Sequence, residues 1–275
     1  MKHPVASPQS PSAQIRVGIG GWTYAPWRNN FYPDKLVQRR ELEYASRKLR
    51  AIEINGTFYR AQKPATYAKW AAETPEDFMF SLKAPRYITQ ATHLANAGKG
   101  IRAFVQGGLA ELGDRLGPVL WQLPPSHPFE VNDLTAFLEL LPQELNGRPL
   151  RHVLEVRDAS FLDDRYVTLV RAHHVATVFT DSPDLPMLAD LTSDFVYARL
   201  KHSLDDVPTG YPPAALDTWA LRARGWAAGE DVESLPHVAS VQAPTAPRDV
   251  FVFFISAAKH RNPAAAMALQ SRIDA

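Results

Sequence analysis

The chain contains no cysteine, which excludes disulfides, thiolate metal sites and a cysteine nucleophile. It also lacks any apolar run near the roughly 20 residues that a bilayer-spanning helix needs, so no membrane partner is expected. Charge of neither sign is in excess: Lys+Arg 30 against Asp+Glu 29 leave +1. That balance speaks against a general basic field for nucleic acid, although a local patch would still serve. The first glycine-rich turn has Gly18 and Gly20 in place for a dinucleotide fingerprint, but Thr23 occupies the third glycine's position. Ser126 and His127 lie in a proline loop without the strained elbow of a hydrolase triad. His173 and His174 sit at a helix end, where a dipole role suffices. No repeat of solenoid period is present.

What is there suits one large α/β domain. The 275 residues are 45% hydrophobic and 10% aromatic, ample for a barrel of about 250 residues. Residues 1–14 are rich in Pro, Ser, Ala and Gln, without an apolar h-region. They read as a disordered leader and not a signal peptide, so the cytoplasm is the expected location. From residue 15 to 275, β-branched and aromatic alternation predicts eight strands: Ile15–Gly20, Ala51–Asn55, Phe78–Lys83, Val119–Gln122, His152–Val156, Ala176–Thr180, Phe195–Arg199 and Val250–Ile255. Helical stretches fall between them, at 41–49, 64–73, 101–116, 131–141, 163–173 and 214–228, with a closing helix at 263–273. Residues 222–247 read as an insertion before the last strand. The count of eight favours a single (β/α)8, TIM-barrel-like domain over an open doubly wound sheet.

The polar residues that break this pattern gather at the C-terminal ends of the strands, where such barrels carry their sites. They are Trp22 after the first strand, Glu53 and Asn55 on the second, Lys83 on the third and Gln122 on the fourth. Glu155 and Arg157 follow on the fifth, Asp181 after the sixth and Arg199 on the seventh. Glu53 and Asn55 are two apart and share a face, as do Glu155 and Arg157. His152 and Glu155, three apart, face opposite ways. Two neighbouring carboxylates can separate into an acid and a base. Arginine offers a fork for carboxylate or phosphate, and a desolvated Lys83 could act as a base or amine nucleophile.

The plainer alternative is an internal salt-bridge lattice that plugs the barrel. Trp22, Tyr24, Trp27, Phe31, Phe58 and Tyr59 suit either a stacking rim or loop packing. Arg222 and Arg224, near Trp219 and Trp226, form a modest basic-aromatic helix. No cofactor is expected. Glu53, Glu155 and Asp181 are the acidic set that could hold a divalent metal, opposed by the cations beside them.

Several motifs taken together, in order, carry a resemblance. They are Gly20-Gly-Trp-Thr-Tyr24, Phe31-Tyr-Pro33, Glu53-Ile-Asn-Gly-Thr-Phe-Tyr59, Lys83-Ala-Pro-Arg86, Leu116-Gly-Pro-Val-Leu-Trp-Gln-Leu-Pro-Pro125, Glu155-Val-Arg157 and Asp181-Ser-Pro183. From about Ile15 to the closing helix the chain resembles the domain of unknown function 72, or YecE-like, family. The resemblance implies a TIM-barrel-like fold and leaves the reaction open. Glu53, Lys83, Gln122, Glu155, Arg157, Asp181 and Arg199 match family positions. The chain departs from the pattern at Ile255-Ser-Ala-Ala258, where the family has an Asn-rich segment, at Arg157-Asp158 and at Leu200-Lys-His202.

The expectation is therefore an enzyme of hydrolase, lyase or isomerase type, performing acid/base chemistry on a small anionic or polar substrate, phosphorylated or carbohydrate-like. Glu53, Glu155 and Lys83 would be catalytic. Trp22, Asn55, Tyr59, Gln122, Arg157, Asp181 and Arg199 would line an anion-binding pocket. A metal-assisted, nucleic-acid-directed phosphodiesterase and a non-catalytic metabolite-binding protein are the alternatives. Oligomeric state has no sequence signal.

Overall fold

Residues 13–275 are described by the computed structural model. The eight strands are β1 (Ile15–Gly20), β2 (Ala51–Ile54), β3 (Met79–Lys83), β4 (Leu116–Gln122), β5 (His152–Glu155), β6 (Ala176–Thr180), β7 (Phe195–Leu200) and β8 (Asp249–Phe254). Each pairs in parallel with its sequence neighbour, and β8 pairs with β1 to close the ring. The protein is a (β/α)8 TIM-barrel-like domain. The leader expected at 1–14 lies outside the described residues up to position 12. Gln14 is already tied to the barrel, its N–H donating to Asp249 Oδ1 at 2.9 Å and its carbonyl accepting from Val250 N at 2.8 Å.

Alternation along the strands produces two apolar layers. One set, including Ala51, Leu120, Val153, Val178, Phe195, Tyr197, Phe251 and Phe253, meets inside the ring. The other, including Ile52, Ile54, Leu82, Trp121, Leu154, Phe179, Val252 and Phe254, packs outward under the helices. Gly18 is needed where β1 and β2 approach, since a Cβ there would stand 2.1 Å from Ala51 O. His152 faces outward, accepting from Trp121 Nε1 at 3.1 Å, whereas Glu155 faces the barrel axis with Val153. The period of two thus sets a charged layer on top of an apolar one.

Most expected helices form with ends shifted by a residue or two. The segment expected as one helix over 101–116 is broken. Helix Gly98–Val105 is followed by a separate 3₁₀ stretch, Leu109–Arg115. Gly108, at φ +124°, sets the break where an L side chain would be strained. The expected insertion at 222–247 begins too early, because Arg222 lies within the helix Pro213–Ala228. Trp219 and Trp226 on that helix are buried, and the Arg222 guanidinium stacks 4.5 Å from the Trp219 ring; the basic-aromatic surface is mostly packing. Among the described residues no helix is long and apolar enough to cross a membrane.

After β8 the chain makes an unusual turn: Ser256 at φ +61° and Ala257 at φ +47° are consecutive non-glycine residues in the left-handed region. A Cβ there costs about 1–2 kcal/mol per residue. Ala257→Gly is expected to stabilise the fold by up to about 1 kcal/mol, raising Tm by roughly 2–4 °C. Thermal unfolding of the two proteins checks this, and an unchanged or lower Tm contradicts it.

Candidate functional site

At the C-terminal mouth of the barrel lies a cavity of about 380 Å³, of a size suited to a small ligand. Five cations line it, Lys83, Arg157, Arg199, Lys201 and Lys259, with the amides Asn55, Gln122 and Asn262 and the ring of Tyr59. No carboxylate is among the described lining residues. Glu53 and Glu155 lie immediately behind the wall, 0% and 1% exposed.

Arg199 joins them. Its Nη2 donates to Glu53 Oε1 at 2.9 Å and its Nη1 to Glu155 Oε2. Glu53 also accepts from Asn55 Nδ2 at 3.0 Å and from Tyr197 OH at 2.7 Å, and Tyr197 is itself held by Ser81. Glu155 accepts from Gln122 Nε2 at 2.8 Å, from Arg157 Nε and Nη2 at 3.1 and 3.0 Å, and from Lys201 Nζ at 3.3 Å. Burial alone would raise the Glu155 carboxyl. Arg199, Lys201 and Arg157 outweigh burial and hold it far below the ordinary carboxylate range. Burial likewise disfavours the Arg199 charge, and Glu155 and Glu53 reverse that, raising its pKa.

Lys83 is treated differently. It is 8% exposed, and its Nζ rests 3.8 Å from the centroid of the Phe58 ring. Burial, reinforced by Arg199 and opposed by Glu53 and Glu155, brings it down to about 8. Lys201 is also lowered, first by burial, with Glu155 opposing.

The structure thus brings Glu53, Asn55, Lys83, Gln122, Glu155, Arg157 and Arg199 together in one place. Tyr59 stands at the rim, 72% exposed. Two expected site residues, Trp22 and Asp181, are neither on the cavity wall nor bonded to the Arg199 guanidinium. Trp22 packs edge-on against Trp70 at 5.1 Å and beside Phe80 at 6.2 Å, a contact that a strand-end tryptophan makes when apolar helix surface lies beside it. Asp181 accepts from the Lys201 backbone N–H and from Tyr211 OH at 3.2 Å, so it braces the turn after β7; burial pushes its carboxyl up to about 6. The acidic trio considered for a divalent ion is therefore not assembled, and no group of three His, Asp or Glu among the described residues is placed to hold one.

Sequence reasoning passed over Lys201, Lys259 and Asn262. Lys201 had a signal: it is two residues from Arg199, the spacing that links Glu53 to Asn55 and Glu155 to Arg157. Lys259 had none. It is carried in by the turn at Ser256 and Ala257, with its ammonium 4.5 Å from the Tyr24 ring and its carbonyl accepting from Trp27 Nε1 at 2.9 Å. Trp27 and Phe31 are buried loop packing.

A family model described as protein of unknown function DUF72 matches residues 16–275. Among curated proteins, the UPF0759 protein YunF of Bacillus subtilis is 32% identical over 75 residues, 27% of this chain and 26% of that protein. The match therefore spans about a quarter of that relative's length. A solved DUF72 family protein from Thermotoga maritima superposes with TM-score 0.73 at 20% identity, covering 95% of this chain and 100% of the other. One from Enterococcus faecalis gives 0.69 at 16% identity, covering 95% and 96%. These likenesses show the fold.

Two stability effects follow from the geometry. Glu155→Gln leaves Arg199, Arg157 and Lys201 without their shared counter-charge and is expected to cost about 3–5 kcal/mol at neutral pH. Because the Glu155 pKa is depressed, its contribution is present above the ordinary value of 4.5 and is lost as pH falls below it. Denaturant unfolding at pH 7 checks the loss; a change under 1 kcal/mol, roughly a surface pair's worth, would show the lattice to be incidental.

Lys83→Met should act the other way. The lysine's folded value of about 8 lies below its ordinary 10.5, so its penalty is full below pH 8 and is relieved as pH rises toward 10.5. Stabilisation on the order of 1–3 kcal/mol at pH 7, shrinking by pH 9.5, is expected. A less stable variant at pH 7 would mean that the ammonium supports the fold.

Proposed function

The chain belongs to the DUF72 family, and from that premise we propose that it is an enzyme acting on a small, anionic, hydroxyl-bearing substrate at the C-terminal face of its barrel. One observation carries the reading: the cavity wall presents five cations and no carboxylate among the described residues, while the two acids behind it are bound to Arg199. Counting Glu53 and Glu155 against those five leaves an excess of three positive charges when Lys83 is protonated. A phosphate or carboxylate is the natural counter-charge in such a low-dielectric recess.

The amides add selectivity. Asn55 and Gln122 each donate their N–H to a glutamate. Their side-chain amide oxygens, Asn55 Oδ1 and Gln122 Oε1, have no donor among the described residues, so they suit the hydroxyl groups of a carbohydrate-like ligand. Arg157, Lys201 and Lys259 are the anion clamps in this reading, and Tyr59 is the rim contact. Glu53 and Glu155 were expected from sequence as an acid/base pair. Their saturation by fixed donors makes them counter-charges that hold Arg199, Arg157 and Lys201 in position. Lys83, with its pKa near the working range of an enzyme, is the proton-transfer group at the wall.

Calorimetric titration at low salt tests the reading. Inorganic phosphate and glucose 6-phosphate are expected to bind, with glucose at least about tenfold weaker. Arg157→Gln, at a half-exposed position, is expected to weaken the phosphates by about tenfold or more. Glucose binding as well as its phosphate, or no binding of any phosphate or carboxylate, would remove the anion site from consideration.

A further inference from the structure

Lys83 ends β3, and the alternation that sets Ser81 inside the ring sets Lys83 inside as well. Its carbonyl is pinned by Thr57 Oγ1 at 2.7 Å, so the stem has a fixed origin. The side chain is 92% buried and lines the cavity. Among the described residues no acceptor lies within hydrogen-bonding distance of its Nζ, which is held over the Phe58 face instead. The two nearest acids are engaged by Arg199, Arg157, Lys201 and the amides. An ammonium has three donors to satisfy; this one satisfies none through its neighbours. When it loses its proton, its lone pair therefore faces the cavity without a hydrogen bond to break.

We propose that Lys83 is a covalent centre whose amine forms an imine with a small aldehyde or ketone bearing a phosphate or carboxylate. The inference rests on the anion site proposed above and adds a carbonyl group to its ligand. The amine lone pair forms the N–C bond while the carbonyl π pair moves onto oxygen. Arg199 and Lys201, at the same wall, stabilise that developing oxyanion. A proton then passes from the new N–H to that oxygen, giving a carbinolamine, and the ammonium's first proton, held meanwhile by solvent water, returns to the departing hydroxyl. Ammonium plus carbonyl then gives iminium plus one water, with no oxidant or reductant. The iminium keeps the positive charge that Phe58 already accommodates. Lowering of the amine to about 8 places its reactive form within reach near neutrality.

Reductive trapping decides the matter. The intact protein is incubated separately with dihydroxyacetone phosphate, glyceraldehyde 3-phosphate and pyruvate, each with cyanoborohydride, and its peptides are mapped by mass. With at least one of the three, an adduct equal to the carbonyl compound less one oxygen is expected predominantly on Lys83. Inorganic phosphate should suppress it, and its rate should rise from pH 7 to pH 9. Lys83→Arg keeps the charge and should abolish that adduct while glycerol 3-phosphate still binds in calorimetry. If none of the three marks Lys83 above Lys201, Lys259 and the surface lysines, yet glycerol 3-phosphate binds, the imine is wrong and the anion site stands. If glycerol 3-phosphate and phosphate also fail to bind, both proposals fall.

Discussion

A single guanidinium, that of Arg199, bridges two buried carboxylates across the inside of the barrel, and the upper half of the molecule is arranged around it. Bringing three charges out of water costs several kcal/mol per ion, and direct attraction repays this only when the remaining hydrogen-bonding positions are filled. Here they nearly are. Tyr197 and Asn55 complete Glu53; Gln122, Arg157 and Lys201 complete Glu155. The exception is Arg199 Nε, which has no partner among the described residues. The side chains come from β2, β4, β5 and β7 or the residues just after them, so their positions depend on the ring being closed in register.

That lattice leaves a particular electrostatic residue at the surface of the cavity. Each glutamate turns both oxygens toward its donors, and what faces outward is the cationic side of the network. The strain that remains is local to the same place. Lys83 is buried against an aromatic face without an acceptor among the described residues, and the Ser256-Ala257 turn holds two side chains at positive φ beside the cavity. Features that lower stability and border an opening fit a site more readily than a plug, since a plug would gain by being repaired.

The barrel was legible because its signal is periodic. Alternation of two gave Ile15–Gly20 and Ala176–Thr180 their observed bounds, and it put Glu53, Glu155 and Arg199 on one interior layer. Boundaries set by backbone conformation were less legible: Gly107-Gly108 broke an apolar pattern that otherwise reads as one helix. Trp22 and Asp181 occupy strand-end positions like the others, but their side chains turn to Trp70 and Tyr211, a choice made by tertiary neighbours. Lys259 entered through a loop whose path no periodicity describes. The identity of the cavity's charges was therefore readable, and their division into buried counter-charges and exposed cations was not.

That division decides which group can change its charge during a reaction. A side chain exchanges protons usefully only when its two protonation states lie close in energy near the working pH. Glu155 is bound to three cations, and protonating it would strand all of them in a recess with little water. Arg199 is held charged by the same contacts. Lys83 has the opposite situation: burial and Arg199 oppose its charge more strongly than the glutamates favour it, which brings it down to about 8. Breaking the glutamates would therefore disturb Lys83 indirectly, by removing the negative potential that keeps its proton as well as the scaffold around it. In this arrangement the carboxylates tune the Lys83 amine from behind the wall, each favouring against burial the charge that Arg199 opposes.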